Sequence, residues 1–164
     1  MRLTPKLSCV TAMVVAVIAG APTTASALGP QASQLVDGVI TAAGSTCTWT
    51  DATASADPPA VLTIDRSTVN SSVSCSGDAS ATLNNSPTLT FDDVAGTATS
   101  DLIDITVKQS IVSCSYQAKS VGWTRDGSTR AYLNKAFTAS KSSGSFLCPS
   151  SITAEPGSAS LSFH

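Results

Sequence analysis

Histidine is almost missing from this chain: His164, the last residue, is the only one. Nucleophilic catalysis by Ser or Cys usually borrows its base from an imidazole, so a triad would depend on a ring at a terminus prone to fraying. Aromatic residues are scarce too, at 5% of the chain. Carbohydrate enzymes commonly line their clefts with such rings, which weakens the case for one here. Charged residues are only 12%, nine basic against eleven acidic, for a formal charge of −2. That balance offers no electrostatic case for nucleic acid or for an anionic membrane. Nor does any stretch sustain an apolar i, i+3, i+4, i+7 stripe. The nearest is Gln34–Ala43, where Gly38 and β-branched neighbours weaken a helix.

The N-terminus reads as an export signal. Arg2 and Lys6 precede an apolar run from Leu7 to Gly20, and Ala25-Ser26-Ala27 supplies the small-x-small pattern of a cleavage site. The run is shorter than the roughly 20 residues of a membrane span, and Pro22 ends it. Cys9 lies before the core of that run rather than after it, which argues against a lipid-anchored cysteine. The expectation is a signal-peptide helix over residues 1–27 and one secreted domain over 28–164, with no integral membrane segment after cleavage.

Beyond residue 27 the chain is rich in Ser and Thr, with apolar residues in short alternating runs. Leu62 and Ile64 share a face, as do Val69, Val73 and Cys75; Leu89 and Phe91; and Ile103, Ile105 and Val107. Val112, Cys114 and Tyr116 continue the pattern, then Ala131, Leu133 and Phe137; Phe146 and Cys148; and Ala159, Leu161 and Phe163. Side chains two apart in a strand project to one side, so each run predicts one buried and one hydroxyl-bearing face. Asp57-Pro58-Pro59, Asn84-Asn85-Ser86-Pro87, Asp126-Gly127 and Glu155-Pro156-Gly157 punctuate the runs. Asp126-Gly127 is the strongest hairpin signal. The reading is all-β, an antiparallel β-sandwich or irregular barrel without intervening helices.

Four cysteines lie beyond the leader: Cys47, Cys75, Cys114 and Cys148. An even set in an exported chain reads as two disulfides, and the wide spacing lacks the close CxxC pairs of a zinc site. Three connectivities are open. Cys47–Cys75 with Cys114–Cys148 is preferred, because each loop then closes within one half of the chain.

Candidate chemistry is thin. Asp92 with Asp93, and Asp101 with Asp104, are the best acid–base pairs for glycoside hydrolysis. Adjacent strand residues face opposite ways, however, and acidic residues at a strand start also discourage edge pairing. Ser140-Lys141-Ser142 lies in a Ser/Gly-rich stretch that reads as a loop. The aspartates form no calcium loop of the D-x-[DN]-x-[DN]-G type, so no metal or cofactor is expected. Trp49, two residues after Cys47, shares its face and is placed to pack against a disulfide. Trp123, if exposed, forms with Arg125, Arg130 and Tyr132 an aromatic–arginine patch of the kind enriched at interfaces.

Ser113-Cys114-Ser115-Tyr116 together with the later Lys141-Ser142-Ser143-Gly144-Ser145-Phe146-Leu147-Cys148-Pro149-Ser150 resembles a C-terminal pattern of small secreted actinobacterial proteins. The likeness spans about residues 102–163 and is most specific in the SGSFLCP stretch. It implies an all-β exported domain with Cys114 bonded to Cys148, and brings no catalytic residues. The antitumour chromoproteins, secreted β-sandwiches with two disulfides, resemble the chain less well, because their cysteines close short local loops. The expected function is non-catalytic: an extracellular binding or cell-envelope module. An inhibitor or small-ligand carrier, and a small glycoside hydrolase, are the alternatives.

Overall fold

A computed structural model describes residues 34–42 and 44–164; the expected signal helix and its cleavage site lie outside the described residues. Gln34–Ala42, the stretch closest to a helical pattern, is strand β1. It forms a hairpin with β2, Ser45–Ala54, turning at Gly44, whose φ is +81°. Then come β3 (Leu62–Thr63), β4 (Ser74–Cys75), β5 (Ala79–Leu83), β6 (Thr88–Asp92), β7 (Thr97–Gln109) and β8 (Val112–Arg125). The last four are β9 (Ala131–Asn134), β10 (Phe137–Gly144), β11 (Ser151–Ala154) and β12 (Ala159–Phe163). All the pairings are antiparallel, and the main path runs β3-β6-β7-β8-β9-β12-β1-β2-β4.

The sheet coils until its two sides nearly meet. β2 touches the segment after β3 at one bridge, Ala54↔Ile64, flanked by Ser55 N–H to Thr63 O at 3.0 Å and Asp65 N–H to Thr53 O at 2.8 Å. No continuous ladder joins them, so the sheet is not closed. β8 forks: Trp123–Arg125 pair with β9, whereas Cys114–Gln117 pair with β10. The β10–β11 leaf thereby leaves the main path, and β11 comes against β1. Val36, Leu62, Leu89 and Val121 are the largest fully buried apolar side chains. Phe91, Tyr132 and Phe163 form an edge-to-face cluster with centroids 5.2–6.0 Å apart.

Four expectations are corrected by the fold. Arg66–Ser72 is a short helix, α1, not strand. Asp65 caps it by accepting from Ser67 N–H, and the four-residue spacing of Val69 and Val73 fits a helical turn as well as a pleat. On β9 the faces are reversed: Tyr132 and Asn134 are buried while Leu133 is exposed. Asn134 tolerates burial because its amide donates to Lys135 O and Glu155 O and accepts from Ala159 N–H. The Ser/Gly-rich stretch through Gly144 is strand β10 rather than loop, held on both sides by β8 and β11. Phe146 is not in the core but 90% exposed.

Both disulfides have the preferred connectivity, Cys47–Cys75 and Cys114–Cys148. The first ties the directly paired residues of β2 and β4. The second pins the loop after β10 to β8. Two such bonds belong to an oxidising compartment. No helix among the described residues is long and apolar enough to cross a membrane.

Candidate functional site: an apolar cavity

The pairing registers place four features at one end of the molecule: the β1–β2 hairpin, the β2–β4 pair, the start of β5 and the β7–β8 hairpin. The Asp93–Gly96 and Asp126–Arg130 turns lie at the other. Between the curled sheet and α1 is a cavity of about 100 Å³. Leu89, Ser100, Trp123 and Leu161 line its deep part and are buried, whereas Val39, Ser45, Val73, Ala81 and Val107 are only partly covered. The mouth therefore faces the first end.

Alternation builds the walls. Ile103, Ile105 and Val107 on β7 project inward as the sequence pattern predicts and line this space half-buried, with Ile103 and Ile105 also packed against the core. Ser45, Cys47 and Trp49 do the same from β2. Val69 and Val73 project from α1 and its C-cap, and α1 is held to β5 by Asn70, whose amide donates to Leu83 O at 2.9 Å and accepts from Leu83 N–H at 2.8 Å. Both tryptophans of the chain line the cavity. Trp123 Nε1–H donates to Ser100 Oγ at 2.8 Å. Trp49 Nε1–H is buried and has no acceptor among the described residues. An unpaired buried donor of this kind is unfavourable by about 1–3 kcal/mol.

Among the described residues no titratable side chain lines the cavity apart from Cys47, which is oxidised. The candidate carboxylates lie elsewhere and already have partners. Asp92 accepts from Ala95 N–H, and Asp93 pairs with Arg125 at 2.6 Å. Asp101 accepts from Thr88 N–H, and Asp104 from the amides of Asn84 and Gln117. They do not converge on a cleft.

The aromatic–arginine patch is divided. Trp123 and Tyr132 are 4% and 3% exposed, because a chain with so few rings places them in its core. Arg125 and Arg130 stay at the surface, engaged by Asp93 and Asp57. The four side chains do not present one exposed surface.

One cluster is not legible along the sequence. Asp37, Asp51 and His164 bring potential ligand atoms within 4.8 Å of one another. Asp51 N–H donates to Asp37 Oδ1 at 2.9 Å, and His164 Nε2 lies 3.2 Å from the same oxygen. The Asp51 amide lowers the Asp37 pKa against the opposing effect of burial, and His164 adds to the lowering. Residues so distant in sequence meet only because β12 pairs with β1.

No protein-family model, curated protein or solved structure matches this chain.

Proposed function

We propose that this chain is a secreted, non-catalytic carrier that holds a small apolar molecule in the cavity beneath α1. The observation that carries the reading is the cavity itself, with apolar walls and an open mouth. Pockets of this makeup, mostly greasy with one or two polar groups, are the ordinary form of small-molecule sites. A compact apolar group matches these walls. The lack of an acid–base pair in the walls supports binding rather than turnover. The leader-like N-terminus and the two disulfides support export, and the SGSFLCP stretch supports an origin among secreted actinobacterial proteins.

The test is fluorescence titration of the oxidised protein with 2-heptanone, 2-nonanone and 2-undecanone, using heptane as the matched compound lacking an acceptor. Because both tryptophans line the cavity, occupancy is expected to change their emission saturably. Heptane should bind about as tightly as 2-heptanone, because apolar contact supplies the affinity, and Val107→Phe, which narrows the mouth, should lower affinity without changing the circular dichroism spectrum. Absence of a saturable change with every ketone would overturn the carrier reading.

A further inference from the structure

Three of the most exposed large apolar side chains share the end that carries the cavity mouth. Ile111, at the tip of the β7–β8 hairpin, is 96% exposed; Phe146 and Leu147, in the loop after β10, are 90% and 62% exposed. The loops are neighbours, since Gly144 pairs with Cys114, Ser145 N–H donates to Ser113 O, and Cys148 is bonded to Cys114. The disulfide and the Cys148 N–H to Ser145 O bond hold Phe146 and Leu147 in a short closed turn. Holding greasy side chains out into water on a fixed loop is unfavourable unless something covers them.

We propose that this tip inserts into the interfacial layer of a lipid bilayer, bringing the cavity mouth to the membrane so that the apolar ligand passes between lipid and protein. The purpose of docking rests on the carrier reading; the docking surface does not. Three side chains on two narrow tips are far from the roughly 800 Å² per partner of a stable protein interface. A convex apolar tip suits a deformable medium that closes around it.

The charge pattern is compatible. The chain is net acidic, which argued against an anionic surface, but its carboxylates are mostly elsewhere. Lys108 lies on β7 near the tip, and Lys141 Nζ reaches Cys148 O of the apolar loop. Asp78, just before β5, is the nearby carboxylate, whereas Asp57, Asp93 and Asp126 lie at the far end with Arg125 and Arg130. Apolar insertion is the main contribution, and the two lysines add a smaller attraction to anionic headgroups.

The experiment is co-sedimentation of the oxidised chain from Leu28 onward, which contains every described strand, with phosphatidylcholine vesicles, with and without phosphatidylglycerol. Binding is expected to both, and to be stronger with phosphatidylglycerol. The triple variant Ile111→Ser, Phe146→Ser, Leu147→Ser should partition more weakly by a factor on the order of 10–100. Val94→Ser is the control: Val94 is 101% exposed, but it sits in the β6–β7 turn at the opposite end. It should leave partitioning unchanged. No sedimentation of the unmodified protein with either vesicle, an equal loss in Val94→Ser, or a dimer in sedimentation velocity that the triple variant abolishes would overturn the proposal. Ketone binding without vesicle binding would refute the docking and leave the carrier reading standing; vesicle binding without ketone binding would do the reverse.

Discussion

Trp49 lies flat on Gly38, its cross-strand partner: a Cβ on Gly38 would sit 1.9 Å from the ring carbon Cζ2. The glycine is thus the floor on which one wall of the cavity rests. Its presence in β1 reflects close packing against an aromatic ring rather than a turn.

Gly38→Ala should therefore force the indole off its seat and into the cavity. Overpacking of this kind destabilises by about 1–3 kcal/mol. Urea denaturation should show a lowered midpoint, and ketone affinity in the fluorescence titration should fall with it.

Ser100 and Trp123 make a second indole relationship of the opposite kind, a satisfied donor in a buried setting. Ser100→Ala should remove the acceptor and lower stability by about 1–3 kcal/mol. Trp123 emission should shift at the same time, because the indole N–H loses its acceptor. Ser100→Thr, which keeps the hydroxyl, should restore the emission more fully than the stability.

Each disulfide closes a long loop, with sequence separations of 28 and 34. In the chain-entropy picture either bond contributes about 3–4 kcal/mol. Cys47→Ser with Cys75→Ser, and Cys114→Ser with Cys148→Ser, should each reduce the unfolding free energy by about that amount, read by urea titration. Only the second pair should also weaken vesicle partitioning, since it frees the Phe146 loop.

Acid should destabilise the fold through two carboxylates. Asp37 is held below its ordinary pKa first by the Asp51 amide, and Asp65 by the backbone N–H of Ser67. A depressed folded-state pKa gives stability that is fully present above the unfolded value and is lost as pH falls through the folded one. Urea midpoints should therefore drop below about pH 4. Asp37→Asn with Asp65→Asn should flatten that limb, leaving the midpoint less sensitive to acid.

Much of the fold was legible because strand alternation is a local property. Ile103, Ile105 and Val107 announce an inward face without reference to any partner, and so do Ala159, Leu161 and Phe163. α1 escaped because seven residues carry too few apolar positions to separate a period near four from a period of two; the cap at Asp65, not the pattern, starts it. Leu133 misled because its neighbours Tyr132 and Asn134 have better reasons to be inside: one completes an aromatic cluster, the other bonds three backbone groups. Phe146 sits two residues from a buried cysteine, yet β10 ends at Gly144 and a turn closed by Cys148 N–H to Ser145 O replaces the alternation between them.

From its amino acids alone the chain specified antiparallel strands and two crosslinks, since periodicity and cysteine parity are both read along a line. The cavity, the stranded Trp49 N–H and the gathering of Ile111, Phe146 and Leu147 were decided in three dimensions. Curvature of the sheet and register between distant strands determine which inward side chains meet a partner and which meet empty space. Those quantities arise from how whole strands twist and pair, so no single stretch of sequence encodes them.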